Sequence, residues 1–258
     1  MAARKLSRTP VLMYHGILAE NQQGRDKYGV CLHTFRQQLA TLKTRGLLTA
    51  TLSDLRDAKL LMPSVVLTFD DGLSSDYMNA FPALAEFRMT AHFFVNTANV
   101  GKAGFLTWAQ IREMDQAGMQ IGSHGHQHVD HSQPSEQRLV KELSLSRRML
   151  EDELGHPIEW FAPPYGFVNG KTIRAARCAG FSGVANSRIA MAELGASVVP
   201  RVAVECGTSA GEFEAILFGR ASVYFKRNLR ALGLYLPRQL LLRLKPNALG
   251  VSVLEEHA

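Results

Sequence analysis

Three things are scarce or missing in this chain of 258 residues, and each closes off a class of function. Cysteine is scarce: Cys31, Cys178 and Cys206 are odd in number and show no Cys-x-x-Cys spacing, which argues against a disulfide framework and a thiolate metal site. A reducing, cytoplasmic setting is the expectation. Long apolar runs are missing too. Val11-Leu12-Met13-Tyr14 is cut short by His15 and Gly16, too soon for a signal peptide despite Arg4, Lys5 and Arg8 before it. No run of about eighteen apolar residues, the length that spans a bilayer, occurs elsewhere. Acidic residues vanish between Ala215 and Gly250, a stretch that holds Arg220, Lys226, Arg227, Arg230, Arg238, Arg243 and Lys245. The overall charge of +6 is modest, and no nucleic-acid partner is expected.

What is present reads as an enzyme-sized globular domain. A hydrophobic share of 46% against 20% charged residues suffices for a sizeable core. Short apolar runs alternate with segments of helical period, the rhythm of parallel strands with helices outside. Strands are expected around Val11–His15, Val65–Phe69, His92–Val95, Gln120–Ser123, Glu159–Ala162, Ser182–Ala185 and Val198–Val202. Phe35, Leu39, Leu42 and Leu47 have helical spacing, as do Leu139, Leu143, Leu150 and Leu154. Thr107 with Gln110 fits a capping box, Ser135 a helix start, and Gly118 and Gly180 helix ends. The expected fold is α/β, a distorted (β/α) barrel of about seven strand-helix units over residues 1–208, with a basic, leucine-rich helical extension over 209–258.

Two clusters carry the chemistry. Val65 to Gly72 runs an apolar strand into Asp70, Asp71 and a glycine, which places two carboxylates on the functional rim of a barrel, unless Asp71-Gly72 is only a turn. Ile121 to His131 holds four of the nine histidines, and His124 and His128, four apart, would share an ion if a helical turn follows the strand. A polar loop with surplus histidines is the bland alternative. Together the clusters supply one carboxylate and two imidazoles around a divalent metal, with a second carboxylate left over as a proton acceptor. Nitrogen and oxygen donors favour Zn2+, and Co2+, Ni2+ or Fe2+ also suit them.

Thr68-Phe69-Asp70-Asp71, Ser123-His124-x-x-x-His128 and Phe161-Ala162-Pro163-Pro164-Tyr165-Gly166 resemble, in order and spacing, the motifs of the polysaccharide deacetylase (NodB-homology) family over about Leu12 to Ala203. The resemblance implies metal-dependent hydrolysis of N-acetyl groups on a carbohydrate, with Asp70 as general base and Asp71, His124 and His128 as metal ligands. It also implies that the Tyr165 backbone N–H donates to the oxyanion, on a turn that Pro164 stiffens.

Two departures need substitutes. The family's late histidine, which protonates the leaving amine, has no counterpart except His257 beside the C-terminus. Met13-Tyr14-His15-Gly16 resembles the N-terminal Tyr-His motif of the exopolysaccharide-deacetylase branch, so His15 is the candidate acid, against the alternative of a buried histidine bonded to backbone. Ala162 stands where many members have the arginine that orients the base. Arg201 is the candidate replacement, an idle strand-end arginine being the alternative.

Trp108, at a helix start, is the aromatic best placed for the substrate rim, while most other aromatics read as core. The leucines between Leu232 and Leu244 among basic residues suit either an anionic membrane surface or a helix packed on the barrel. The expected placement is cytoplasmic, with peripheral contact at the inner membrane left open between those two readings of the extension. Rival functions are a deformylase or amidase of a lipid-linked or small amino sugar, a silent carbohydrate-binding barrel, and a closed structural metal site that adds His126 or His131.

Overall fold

The computed structural model describes residues 8–20, 27–60, 63–128, 134–166 and 168–244, with side chains of the last helix placed as far as residue 232. His131, His257 and the basic and leucine side chains after Leu232 lie outside the described set. In chain order the strands are β1 (Arg8–Thr9), β2 (Val11–Tyr14), β3 (Ile17–Leu18), β4 (Val30–Cys31), β5 (Leu48–Thr49), β6 (Ser64–Phe69), β7 (His92–Val95), β8 (Gln120–Ser123), β9 (Trp160–Phe161), β10 (Gly183–Asn186), β11 (Ala192–Glu193), β12 (Val198–Pro200) and β13 (Val202–Ala203). The helices are α1 (Leu32–Thr44), α2 (Leu52–Arg56), α3 (Phe81–Phe87), α4 (Trp108–Gln116), α5 (Glu136–Leu154), α6 (Gly170–Cys178), α7 (Ala210–Leu217) and α8 (Ala221–Leu244).

Strands β12, β10, β9, β8, β7, β6, β2 and β13 lie side by side in that order, all parallel, with β5 added on β6. The two edge strands are consecutive in sequence: β12 pairs with β10, β13 pairs with β2, and Arg201 alone separates them. The sheet therefore rolls into a nearly closed barrel whose seam is that arginine. Here the sequence expectation is corrected twice. The single strand expected over Val198–Val202 is split at Arg201, because its two halves pair with opposite edges of the sheet. Between the strands expected at 182–185 and 198–202 there is β11 in place of a helix, and it pairs antiparallel with β1. Residues 187–197 are fewer than the dozen or so that a helical crossover needs.

The alternation along β6 separates two cores. Val65, Leu67 and Phe69 join the large cluster beneath the helices, with Phe69 stacked on Phe93 at 4.7 Å, whereas Val66 joins Val11, Phe94, Trp160, Ala162 and Val199 inside the barrel. Helix starts are capped as expected: Thr107 and Gln110 bond reciprocally before α4, and Ser135 accepts from Arg138 N–H before α5. Helix α7 buries Phe213, Ile216 and Leu217 in the large cluster. Helix α8 is pinned by Arg227, which donates to the Ala203 carbonyl (2.6 Å) and pairs with Glu212 (2.8 Å). Among the described residues no helix is long and apolar enough to cross a membrane.

Candidate active site

The side-chain alternation that sends Val66 into the barrel does the same for Thr68 and carries on to Asp70, the first residue past β6. Asp70 is 3% exposed and meets Arg201, which is fully buried. The guanidinium closes a two-pronged pair, Nη1 to Oδ1 at 2.6 Å and Nη2 to Oδ2 at 2.8 Å, and its Nη1 also donates to Thr68 Oγ1 at 3.2 Å. Ala162, where an arginine was looked for, is itself fully buried inside the barrel, so the cation reaches the acid from the seam instead. The reading of Arg201 as an idle exposed side chain is thereby excluded.

Burial pushes the Asp70 carboxyl upward, but Arg201, His124 and His15 outweigh it, and the net shift is downward. Asp70 is an ionised base at neutral pH. The next residue turns the other way. Asp71 has φ +78° and Gly72 φ +68°, and a Cβ on Gly72 would come within 3.3 Å of Val95. A left-handed non-glycine residue costs about 1–2 kcal/mol, yet the reversal is what presents Asp71 to the rim while Asp70 stays inside.

Across the mouth, residues 124–128 form an irregular bend, not the helical turn expected. Gly125 at φ +84° breaks the helix, and Glu142 on α5 holds the bend by accepting from the backbone N–H groups of His126 (2.5 Å) and Gln127 (2.8 Å). The two histidines still converge: His124 Nε2 lies 3.4 Å and His128 Nε2 3.3 Å from Asp71 Oδ1. His126 turns aside, its Nδ1 2.9 Å from Thr97 Oγ1, which removes it from the four-ligand alternative.

The fit to a metal can be tested on these distances. Donors about 2.0–2.2 Å from one zinc ion in tetrahedral array stand about 3.3–3.6 Å apart, the spacing of both histidine nitrogens from the Asp71 oxygen. His124 Nδ1 is 2.7 Å from the Ala162 carbonyl, which only accepts, so Nδ1 carries the hydrogen and Nε2 offers a lone pair to the cluster. Burial disfavours the His124 cation, but Asp70 and Asp71 reverse that and its affinity for protons is raised. For Asp71, burial is likewise outweighed by His124 and His128, and its carboxyl is held well below the usual range. Such a site exchanges protons for a divalent cation.

The third motif forms a short 3-10 turn over Pro164–Gly166 in which Tyr165 has φ +60°, with its ring 4.9 Å from that of His128. Pro164 is buried beneath it. His15 follows β2, lies against Tyr28 with ring centroids 4.6 Å apart, and has no hydrogen bond at Nδ1 among the described residues. Trp108 begins α4, partly buried against the large core.

Three residues that sequence reasoning passed over belong to the site. Thr68 bridges Arg201 and the Leu12 carbonyl (2.8 Å), and Glu142 holds the histidine bend. Asp76 is fully buried, and burial together with the charges of Asp71 and Asp70 raises its carboxyl well above the usual range. Thr68 stands in the Thr68-Phe69-Asp70-Asp71 motif without a role legible there, and nothing in residue type or spacing marks Glu142 or Asp76, because all three roles come from contacts between distant elements.

Comparison with known proteins agrees with this geometry. The sequence profile of the family described as polysaccharide deacetylase matches residues 58–184. YxkH of Bacillus subtilis (strain 168), named a candidate polysaccharide deacetylase, is 29% identical over 220 residues, which are 83% of this chain and 77% of that protein. The poly-beta-1,6-N-acetyl-D-glucosamine N-deacetylase of Staphylococcus aureus (strain MRSA252) is 26% identical over 171 residues, and the match spans 59% of either chain. The deacetylase PplD of Streptococcus pyogenes, solved in complex with acetate, superposes with a TM-score of 0.75 at 25% identity, over 81% of this chain and 98% of that one.

Proposed function

The chain belongs to the polysaccharide deacetylase family, and from that premise we propose that it hydrolyses the N-acetyl groups of N-acetylhexosamine residues in a polysaccharide or oligosaccharide, using a divalent metal held by Asp71, His124 and His128. The observation that carries this reading is the buried Arg201–Asp70 pair beside the three metal donors. A binding scaffold gains nothing from a second carboxylate kept ionised beside the donor set, whereas a hydrolase needs a base.

When bound, the metal would polarise the amide oxygen and acidify water, for which zinc suits the nitrogen and oxygen donors. The protein supplies the rest. Asp70 accepts the proton of the attacking water, and Arg201 keeps it ionised and oriented through two parallel hydrogen bonds. The Tyr165 N–H donates to the developing oxyanion, and the rigid Pro164 turn fixes where it points. His15, held against the tilted ring of Tyr28, donates a proton to the departing amine. Trp108 flanks the substrate rim. The name of the staphylococcal relative makes a β-1,6-linked N-acetylglucosamine oligomer the first substrate to try.

The test is acetate release from that oligomer, chitooligosaccharides and peptidoglycan by the zinc-loaded protein, before and after chelation. Release that stops with chelator and returns with Zn2+ is expected; no release from any of them sinks the reading. In parallel, Asp71→Ala should bind zinc at least about tenfold more weakly by calorimetry, since one of three protein ligands is gone.

We further propose that the exposed face of α8, as distinct from α7, which is buried in the core, meets an anionic membrane surface. Phe225, Leu229 and Leu232, exposed by 69%, 59% and 57%, recur at helical spacing on α8, with Lys226 beside them. Leu229→Glu should abolish most co-sedimentation with phosphatidylserine vesicles; undiminished binding overturns the assignment.

A further inference from the structure

A cleft of about 660 Å³ opens beside the catalytic mouth, between the loop after β10 and helix α8. Its inner end is walled by Met13, Tyr28 and Tyr165, so a glycan chain leaving the reacting sugar has this trough as a path. The outer end is of another kind. It carries Arg188 from the loop and Arg230 from α8, both exposed, and neither has a salt-bridge partner among the described residues.

The surroundings show why these two guanidiniums remain available. Lys27, also in the wall, is neutralised by Glu205 at 2.8 Å. Arg227, three residues before Arg230 on the same helix, is taken up by Glu212 and the Ala203 carbonyl, which fixes α8 against the barrel. The Arg188 loop is held too, its backbone N–H donating to Asn186 Oδ1 at 2.9 Å. Two arginines are thus presented to one cleft by anchored backbone, one from the loop after β10 and one from α8, which Asn228 ties to that loop through the Ile189 carbonyl. A neutral saccharide makes no use of that charge, and a deacetylated neighbour, carrying an ammonium, would be repelled by it. A carboxylate or phosphate oxygen pair matches the planar fork of donors on each arginine.

Resting on the deacetylase reading, we propose that this cleft is a subsite for an anionic substituent, a carboxylate or a phosphate, on the saccharide next to the one being deacetylated, with Arg188 and Arg230 as its specificity-determining residues. The enzyme's glycan is then an acidic one, and the charged unit selects which neighbouring acetamide enters the mouth.

Three oligosaccharides of equal length distinguish the outcomes: neutral N-acetylglucosamine, the same with a hexuronic acid unit, and the same with a phosphomonoester. Binding to the zinc-loaded full chain is read by calorimetry and turnover by acetate release. At low ionic strength at least one acidic oligomer should bind about tenfold more tightly than the neutral one, with the advantage shrinking as salt is added. In the Arg188→Gln/Arg230→Gln double variant the ratio of acidic to neutral affinity should fall to near one. Preference for only the uronate or only the phosphate identifies the source of the anion. Equal affinity for all three, or an unchanged ratio in the variant, overturns the inference. Because calorimetry needs no turnover, an anion preference without acetate release would sink only the deacetylase reading, and acetate release without anion preference only the subsite.

Discussion

Replacing Arg201 by methionine is expected to destabilise the fold by about 3–5 kcal/mol near neutral pH, the largest stability effect of any single substitution at the site. Arg201 is fully buried at the seam between β12 and β13, and its loss leaves the Asp70 carboxylate in the barrel interior without its partner. Burial, no longer opposed by the guanidinium, then raises the Asp70 carboxyl. The sign of the pH dependence follows. In the native protein the folded carboxyl sits below its unfolded value, so the pair contributes fully above the ordinary aspartate range and loses its contribution as pH falls through the folded value. In the variant the folded carboxyl sits above, so the deficit is largest near neutrality and shrinks on acidification, as Asp70 takes up a proton. Urea denaturation of metal-free protein at neutral and mildly acidic pH reads both effects. A loss under about 1 kcal/mol at neutral pH would show that the pair is not what holds the seam. Arg201→Lys should fall between the two, because a single ammonium cannot make the paired contact.

Asp70→Asn carries the largest expected effect on turnover, a loss of about 10²–10⁴-fold in kcat. The amide keeps the shape of the side chain and an acceptor for Arg201 but takes no proton from water. Zinc content should stay near that of the unaltered protein, since Asp71, His124 and His128 are untouched. This split is the useful feature: a purely structural role for Asp70 would lower folded protein and zinc together. A variant that retains more than about a tenth of the activity would remove Asp70 from the base role.

Local pattern and tertiary structure contributed differently to this protein. Strands β7 and β8 were legible to the residue, β7 through the apolar Phe93-Phe94-Val95 and β8 as the short segment between the helix-ending Gly118 and the histidine cluster. Thr107 and Ser135 announced their helices through capping chemistry that acts within one turn. Asp70, Asp71, His124 and His128 were legible as a set because metal and proton chemistry restrict residue type, and the acids fall where a strand must end. The geometry joining them was not. A helical turn was the natural means of bringing His124 and His128 together, yet Gly125 and the carboxylate of Glu142, sixteen residues from His126, produce a bend that does so instead.

Arg201 marks the division most clearly. By sequence it was one arginine after a proline in an unbroken apolar run, with nothing to separate a role from idleness. Its place depends on residues 198–203 pairing with β10 on one side and β2 on the other, a register set by barrel closure. The same holds for the cleft between Arg188 and Arg230, whose walls come from the loop after β10 and from α8. The sequence by itself determined which donor groups gather at the centre, because those are residue types at strand ends. Which cation holds the base, and what lies beside the mouth, only the tertiary structure decided, because both depend on contacts between segments far apart in the chain.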